Sequence, residues 1–501
     1  MMVQRATPTV TSPHGGEVGL QSNPGEGGRK IESPEPPYPN PLPAPTRVYP
    51  SWPLWWAKSE TSDFAGEREQ VGGRRSRFIH KSVASHSMRA DRTAQRTTVP
   101  LIVFLVSAIF VALNTVHLVA LYAVGEWIVG RDSHNILADF VTLWSAGRLV
   151  LDGHPAWAYD WEIAKQAQVA VTGADYPGHL GFHYPPLFLF VVATLAHVPY
   201  VTSFVGWVIV TFIPYAAVVR ALVGRPIGWW LAIAFPALFY NFVIGQNGCL
   251  TAALIGGTLL CIPTRPILAG VCLGLLTYKP QYGPLFPLVL VATGQWRVVF
   301  SAAATAAAIA AASWIAFGSE TWLAFFHWAP MTPTFLSNGE VYFGKLQSLL
   351  GFVRFAGGGE TMALIAHWSL AAAVAVALVY LWRSTVRYEL KAAALATGAV
   401  LATPYVFMYD LVVLAIPTAL LVRLGFARGF RKIELYALWI VGGLLIGFDV
   451  FIAPVGFIAA LILAGLIADR ALAELGFGQP HPGTASPNRP ARCPNEGKPD
   501  E

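Results

Sequence analysis

Long apolar segments separated by short polar stretches dominate this chain from residue 100 onward. The apolar residues run on without the strict alternation of a transmembrane β-strand. A bilayer core needs about 20 apolar residues per helical crossing, and it leaves no water for unpaired backbone groups. The pattern therefore predicts an all-α fold, a polytopic membrane helical bundle with about 12 transmembrane crossings.

The first predicted span is residues 100–124, and Arg89, Arg92 and Arg96 before it favour a cytoplasmic N-terminus. Residues 184–222 are too long for one crossing and marginal for two, so we expect one full crossing and a re-entrant or kinked piece there. The remaining predicted spans are 227–244, 249–263, 267–278, 282–294, 298–317, 361–382, 392–403, 409–424, 433–452 and 455–468. The predicted outward turns between them are 245–248, 278–281, 318–345 and 403–410.

Two polar regions flank this membrane domain, which we place at residues 100–470. Residues 1–99 are rich in Pro, Gly, Ser and Arg without apolar periodicity, which predicts disorder. Met88 precedes a short basic stretch. In one interpretation Met88 is the true first residue of the protein, and the residues before it come from an over-extended gene start. The polar, Pro-rich residues 471–501 predict a disordered cytoplasmic tail.

Composition supports the membrane assignment and excludes other classes. The chain of 501 residues is 54% hydrophobic and 12% charged, against about 25% charged residues in soluble domains. The net charge of +6 comes mostly from the N-terminal region and short loops, where basic residues act as topology signals, so no nucleic-acid partner is expected. The four cysteines have no metal-ligand spacing, and we expect no metal or other cofactor.

The first predicted external loop, residues 126–183, holds seven acidic and three basic residues. Within it, apolar residues recur at helical spacing from Phe140 to Leu151. This predicts an amphipathic helix on the membrane surface. Asp139 would lie in its first turn, where the helix dipole favours a carboxylate.

Polar residues from the later turns gather on the same predicted side as this loop. Ionisable groups at membrane depth are costly and usually mark function. Structural explanations also exist: a helix-start acid for Asp139, a snorkelling lysine for Lys279, and turn formation for Gln246 and Asn247. The candidate site residues are Asp132, Asp139, Arg148, Gln246, Asn247, Lys279, Gln281, Lys345, Gln347, Tyr409 and Asp410.

Five segments in order resemble glycosyltransferase family 87, which includes mycobacterial polyprenyl-phosphate-mannose-dependent mannosyltransferases. The segments are ADFVTLWSAGRLVLDGHPAWAYD (138–160), HYPPLFLF (183–190), GQNGCLTAAL (245–254), AGVCLGLLTYKPQ (269–281) and TPYVFMYDLVVLAIP (403–417). The resemblance implies a GT-C-like fold with the catalytic acid in the first external loop. Asp139 matches that acid, with Asp132 as the second choice, and Gln246 and Lys279 match polar positions that face the same cavity.

The resemblance further implies a polyprenyl-phosphate sugar donor and a lipid or glycan acceptor, at the outer face of a bacterial inner membrane. An inverting transfer needs one base, for which Asp139 is the candidate. The donor phosphate needs cations, for which Arg148, Lys279 and Lys345 are candidates. A transporter or flippase of lipid-linked sugars is the alternative, although the chain has no evident internal repeat of the kind that many transporters show.

Overall fold

The computed structural model describes residues 82–130, 135–136, 138–173, 175–176, 178–329 and 342–476. For residues 82–100 and for residue 449 it describes the backbone only. Within these ranges the fold is helical, with isolated β-bridges around Val129 as its only extended pairing. The all-α class is therefore confirmed for the described residues.

The described α-helices are named here in chain order. They are α1 (Ser82–Val124), α2 (Phe140–Leu151), α3 (Trp161–Thr172), α4 (Leu189–Ala196), α5 (Tyr200–Val223), α6 (Ile227–Ala234), α7 (Ala237–Ile244), α8 (Gly248–Cys261), α9 (Pro266–Leu275), α10 (Leu285–Ala292), α11 (Trp296–Trp328), α12 (Leu349–Phe355), α13 (Glu360–Arg383), α14 (Tyr388–Leu401), α15 (Ala415–Arg428), α16 (Lys432–Ile446), α17 (Phe448–Phe451) and α18 (Val455–Glu474). Short 3₁₀ turns cover Pro155–Tyr159, Pro186–Phe188, Leu276–Tyr278, Pro280–Tyr282, Phe343–Lys345 and Met408–Leu414.

Six of the described helical segments are long and apolar enough to cross a membrane. The count is seven if α6 and α7, which meet at a bend of 63°, form one broken span. Several other predicted spans are shorter helices: α8 has 14 residues and α9 has 10, less than the roughly 20 needed for a full crossing. The multi-pass membrane character is supported, and the number of about 12 crossings stays a prediction. The candidate spans are Leu101–Val124, Tyr200–Val223, Trp296–Trp328, Glu360–Arg383, Met408–Arg428 and Val455–Glu474.

Helix α1 begins at Ser82, well before the expected residue 100. Residues 82–99 contain neither glycine nor proline, so no strong helix breaker interrupts them. At the other end, α18 continues to Glu474. Residues 1–81 and 477–501 of the two predicted disordered regions lie outside the described residues.

Helix α2 occupies the position of the predicted amphipathic helix, but most of its circumference is covered. Eight of its 12 residues are buried, and it packs against α4. The Trp144 indole donates to the carbonyl of Val198 over 3.0 Å, which ties α2 to the chain just after α4. The predicted location on the membrane surface is therefore not confirmed. The packing of α2 also fixes the position of Asp139, the residue just before the helix.

The region expected to contain one crossing and a kinked piece has a full-length helix, α5, preceded by the short apolar segment Pro186–Ala196. Tyr159 connects this region to the first loop, because its hydroxyl donates to the carbonyl of Tyr184 over 3.0 Å. The next residue, Asp160, caps α3 by accepting hydrogen bonds from the backbone N–H groups of Glu162 and Ile163. The Tyr-Asp pair of the first motif thus fixes the geometry of two loops.

Candidate functional site

The Gly-Gln-Asn-Gly turn between α7 and α8 brings an amide side chain next to Asp139. Gly245 ends α7 in the left-handed conformation, with φ 67°. A Cβ atom there would lie 2.7 Å from Cβ of Phe140 and 2.6 Å from the ring of Phe204. Only glycine fits both the dihedral angle and the contact, so this turn can press against the start of α2.

Gln246 connects three parts of the chain. Its Nε2 donates to Oδ2 of Asp139 over 3.2 Å. Its Oε1 accepts hydrogen bonds from the Tyr184 hydroxyl (3.1 Å) and from the Asn247 backbone N–H (3.3 Å). The Gln246 side chain is buried. Because hydrogen bonds fix both its oxygen and its nitrogen, the nitrogen faces the Asp139 carboxylate.

Asp139 is partly buried and lies at the N-cap of α2, where its side chain makes no capping hydrogen bond. Burial raises the pKa of Asp139 above 3.8, and the negative charge of Asp410 raises it further. The hydrogen bond from Gln246 and the positive charge of Lys345 oppose this rise. A carboxylate with a raised pKa is a stronger base than an ordinary aspartate, as general-base catalysis requires.

A buried ion pair forms the second part of the site. Nζ of Lys279 lies 2.6 Å from Oδ1 of Asp410, and both side chains are almost fully buried. The other oxygen of Asp410 accepts the backbone N–H of Phe407 over 3.3 Å. The ammonium also lies 5.3 Å from the ring centroid of Tyr409, within cation–π range. Lys279 is therefore paired and does not snorkel to a surface.

The two parts of the site adjoin through the start of α8. A Cβ atom on Gly248 would lie 2.1 Å from the carbonyl oxygen of Tyr409, so this glycine allows α8 to approach the 408–414 turn. The Tyr278 hydroxyl, next to Lys279 in sequence, donates to the carbonyl of Asn247 over 3.3 Å. The buried Asn247 side chain lies near the Tyr184 hydroxyl, but neither of its polar atoms makes a hydrogen bond of normal geometry with a described residue.

Lys345 and Gln347 occupy the segment before α12. Lys345 is exposed, and its charge acts on Asp139. Gln347 is buried: its Nε2 donates to the carbonyl of Gly344 over 3.0 Å, and its Oε1 accepts the backbone N–H of Gly456 over 2.8 Å. Gln347 therefore fixes the loop that carries Lys345.

Two predicted site residues lie apart from this cluster, and one lies outside the described residues. Arg148 is exposed on α2 and pairs with Asp152 over 3.2 Å. The Gln281 side chain is exposed, and its backbone carbonyl accepts the Thr403 hydroxyl. The second-choice acid, Asp132, is among the residues that the structure does not describe.

Sequence reasoning assigned Tyr184 no clear role and did not single out Tyr278. Their hydroxyls hold Gln246 and the backbone of Asn247. The only signal was their position in the motifs HYPP and TYKPQ, one residue from a histidine and a lysine. In the described part of the chain, no group of three His, Cys, Asp or Glu side chains could hold a metal ion, and independence from metal stays a prediction.

The comparisons with known proteins bear on this cluster directly. Residues 182–404 match the model of glycosyltransferase family 87. The suspected family is confirmed over this region. The match to this family indicates an enzyme that transfers a sugar. The family 87 region contains Tyr184, Gln246, Lys279 and Lys345, whereas Asp139 and Asp410 lie outside it and join these residues through the fold. No curated protein and no solved structure matches the chain significantly.

Proposed function

We propose that this glycosyltransferase moves a hexose or related sugar from a polyprenyl-phosphate donor to a lipid or glycan acceptor, with inversion at the anomeric carbon. The reaction takes place at the outer face of a bacterial inner membrane, and both termini are cytoplasmic. The observation that carries the proposal is the hydrogen bond from Gln246 to Asp139. It places the loop carboxylate beside polar residues of the family 87 region.

Asp139 is the general base. Its carboxylate accepts the proton of the acceptor hydroxyl as that oxygen attacks the anomeric carbon. The bond between the anomeric carbon and the phosphate oxygen breaks, and the bonding electrons leave with the polyprenyl phosphate. A single displacement of this kind inverts the anomeric centre. The proton on Asp139 then passes to water, so one base suffices.

Lys345 is the cation that contacts the donor phosphate. It is exposed, whereas the ammonium of Lys279 is already held by Asp410. An exposed lysine near the base can meet a phosphate at the lipid headgroup level as a point charge. The Lys279–Asp410 pair then acts on the substrate mainly by positioning the turn that carries Tyr409.

The amide side chains of Gln246 and Asn247 are the expected contacts for sugar hydroxyls. Asn247 carries a buried donor and a buried acceptor that no described residue satisfies. Buried polar groups normally have hydrogen-bond partners. A bound sugar hydroxyl or a water molecule supplies both a donor and an acceptor.

Transfer of a radiolabelled sugar from polyprenyl phosphate, in membranes that contain the protein, tests this proposal. We expect labelled product with the wild type and none with Asp139→Asn. Movement of intact lipid-linked sugar across proteoliposomes without transfer would instead identify a flippase. Full transferase activity in a folded Asp139→Asn variant would exclude Asp139 as the base.

A further inference from the structure

An apolar crevice opens between α1, α6, α15 and α16. Its volume is about 100 Å³ and it is open on one side, so it has room for part of a hydrocarbon chain and not for a whole drug-sized ligand. Its walls include Phe110, Leu231, Val422 and Trp439. Such a crevice accepts hydrocarbon and offers little to a polar ligand.

The hydroxyl groups in this crevice are satisfied within their own helices. Ser107 donates to the carbonyl of Val103 over 2.7 Å, and Thr418 donates to the carbonyl of Leu414 over 2.8 Å. Neither hydroxyl therefore needs a partner from a ligand. An unbranched acyl chain satisfies these conditions.

A basic recess adjoins the crevice. It is lined by Arg428, Arg431, Arg470 and Glu474, whose carboxylate pairs with Arg387. Phe430 lines both the recess and the crevice. A molecule with an anionic head and an apolar tail can therefore contact the arginines with its head while its tail passes Phe430 into the crevice.

Two of the basic side chains at this recess already have acidic partners. Arg431 pairs with Asp469, and Arg470 makes a two-pronged ion pair with Glu434 at 2.8 and 2.5 Å. Arg470 also donates to the carbonyl of Gly429 over 3.2 Å. These contacts fix the shape of the recess. Because the acidic partners neutralise Arg431 and Arg470, these two arginines add little net positive charge for a ligand.

The remaining positive charges are uncompensated. Arg428 and Lys432 are exposed, and neither makes an ion pair with any described residue. They follow each other closely, at the end of α15 and the start of α16. Arg428 lines the recess, and Lys432 follows it by four residues. Two unpaired cations so close in sequence favour an anionic headgroup over a zwitterionic one.

The recess and the candidate active site lie at opposite ends of one span. Met408–Arg428 is a candidate membrane span of 21 residues, with Asp410 near its first residue and Arg428 as its last. At 1.5 Å per residue this is roughly 30 Å, the thickness of the hydrocarbon core. The polyprenyl-phosphate donor of the opposite face therefore does not place its phosphate here.

We propose that this crevice and recess bind one anionic phospholipid of the cytoplasmic leaflet. Its phosphate lies between Arg428 and Lys432, and one acyl chain passes Phe430 into the crevice. The positive-inside rule puts these basic residues on the cytoplasmic side. Such a lipid would link α1 to α15 and α16, and the site does not depend on which sugar is transferred.

Native mass spectrometry of the purified full chain tests the site. The probes are dioleoyl phosphatidylglycerol and dioleoyl phosphatidylcholine, which have the same acyl chains. We expect one tightly bound phosphatidylglycerol per chain and at least about fivefold weaker binding of phosphatidylcholine, since each nearby cation attracts the anionic headgroup. Equal retention of the two lipids would overturn the proposal.

Two variants test the head and tail contacts separately. Arg428→Gln with Lys432→Gln should weaken phosphatidylglycerol binding roughly tenfold, whereas Arg297→Gln, an exposed arginine outside the recess, should not. Thr418→Phe fills the crevice and should also reduce binding, whereas Ile315→Phe on the exposed face of α11 should leave it unchanged. Wild-type binding by either test variant, in a folded chain, would exclude the combined site.

Discussion

The Tyr184 hydroxyl donates a hydrogen bond to Oε1 of Gln246 over 3.1 Å. A second donor, the backbone N–H of Asn247, approaches the same oxygen at 3.3 Å. With both donors on the oxygen, the amide nitrogen has to face Asp139. Tyr184 therefore orients the group that stabilises the ionised form of the proposed base.

Asp139→Asn should lower sugar transfer at least roughly 100-fold, since general-base catalysis contributes about that much or more. Asp152→Asn is the control, because Asp152 is an exposed acid of the same region whose ion-pair partner among the described residues is Arg148. Initial rates with a radiolabelled donor measure both. Comparable losses in the two variants would mean that Asp139 has no special role.

The same Asp139→Asn variant should not be less stable than the wild type at neutral pH. Burial raises the pKa of Asp139 in the folded protein, so the folded state binds this proton more tightly than the unfolded chain. The stability from this group is present at low pH and is lost as pH rises through the folded pKa. Thermal unfolding in detergent, measured at several pH values, checks this. The unfolding temperature of the wild type should fall relative to that of the variant as the pH rises toward neutral.

Gln246→Met should shift the acidic limb of the pH–rate profile to higher pH. The amide hydrogen bond lowers the pKa of Asp139, so its loss leaves the base protonated over a wider range. Tyr184→Phe should move the limb in the same direction by a smaller amount, because the amide stays but loses its orientation. Gln168→Met removes a buried glutamine that bonds to Leu180 and Tyr176, and an equal shift there would contradict the assignment.

Much of the helical arrangement could be predicted from the apolar pattern, and several site residues from their motifs. The starts of α6 at Ile227 and of α18 at Val455 agree with the predicted spans. The break near Pro236 and the start of α15 at Ala415, six residues after the predicted residue 409, were not predicted. The burial of α2 could not be predicted, because its apolar stripe fits a membrane surface and a protein interior equally well. Which polar residues meet also depended on tertiary packing.

The Arg148 side chain shows this limit most clearly. Its charge and its place on the same predicted side as Asp139 made it a candidate phosphate ligand, but its side chain is exposed and pairs with Asp152. Lys279 shows the opposite case: a lysine before a proline at a predicted membrane boundary is usually a snorkelling residue, yet it is buried against Asp410. Spacing along the chain cannot distinguish these outcomes, because Lys279 and Asp410 are 131 positions apart.

Lys345→Gln should raise the KM for the polyprenyl-phosphate donor roughly tenfold, because in the proposed function this exposed cation contacts the donor phosphate. It should also shift the acidic limb of the pH–rate profile to higher pH, since the charge of Lys345 lowers the pKa of Asp139. Lys165→Gln, which removes a lysine paired with Asp175, is the control. An unchanged KM with Lys345→Gln would move the phosphate contact to another residue.

The buried Lys279–Asp410 pair makes a prediction about coupling. Removing one partner leaves an uncompensated charge, so Lys279→Met or Asp410→Leu alone should each destabilise the protein by about 3–5 kcal/mol. The double variant should be more stable than either single variant, because it leaves no buried charge, although the Phe407 N–H loses its acceptor. Unfolding in detergent measures the coupling. If the pair only positions the Tyr409 turn, transferase activity should recover together with stability. A stable but inactive double variant would show that the pair does more than position this turn.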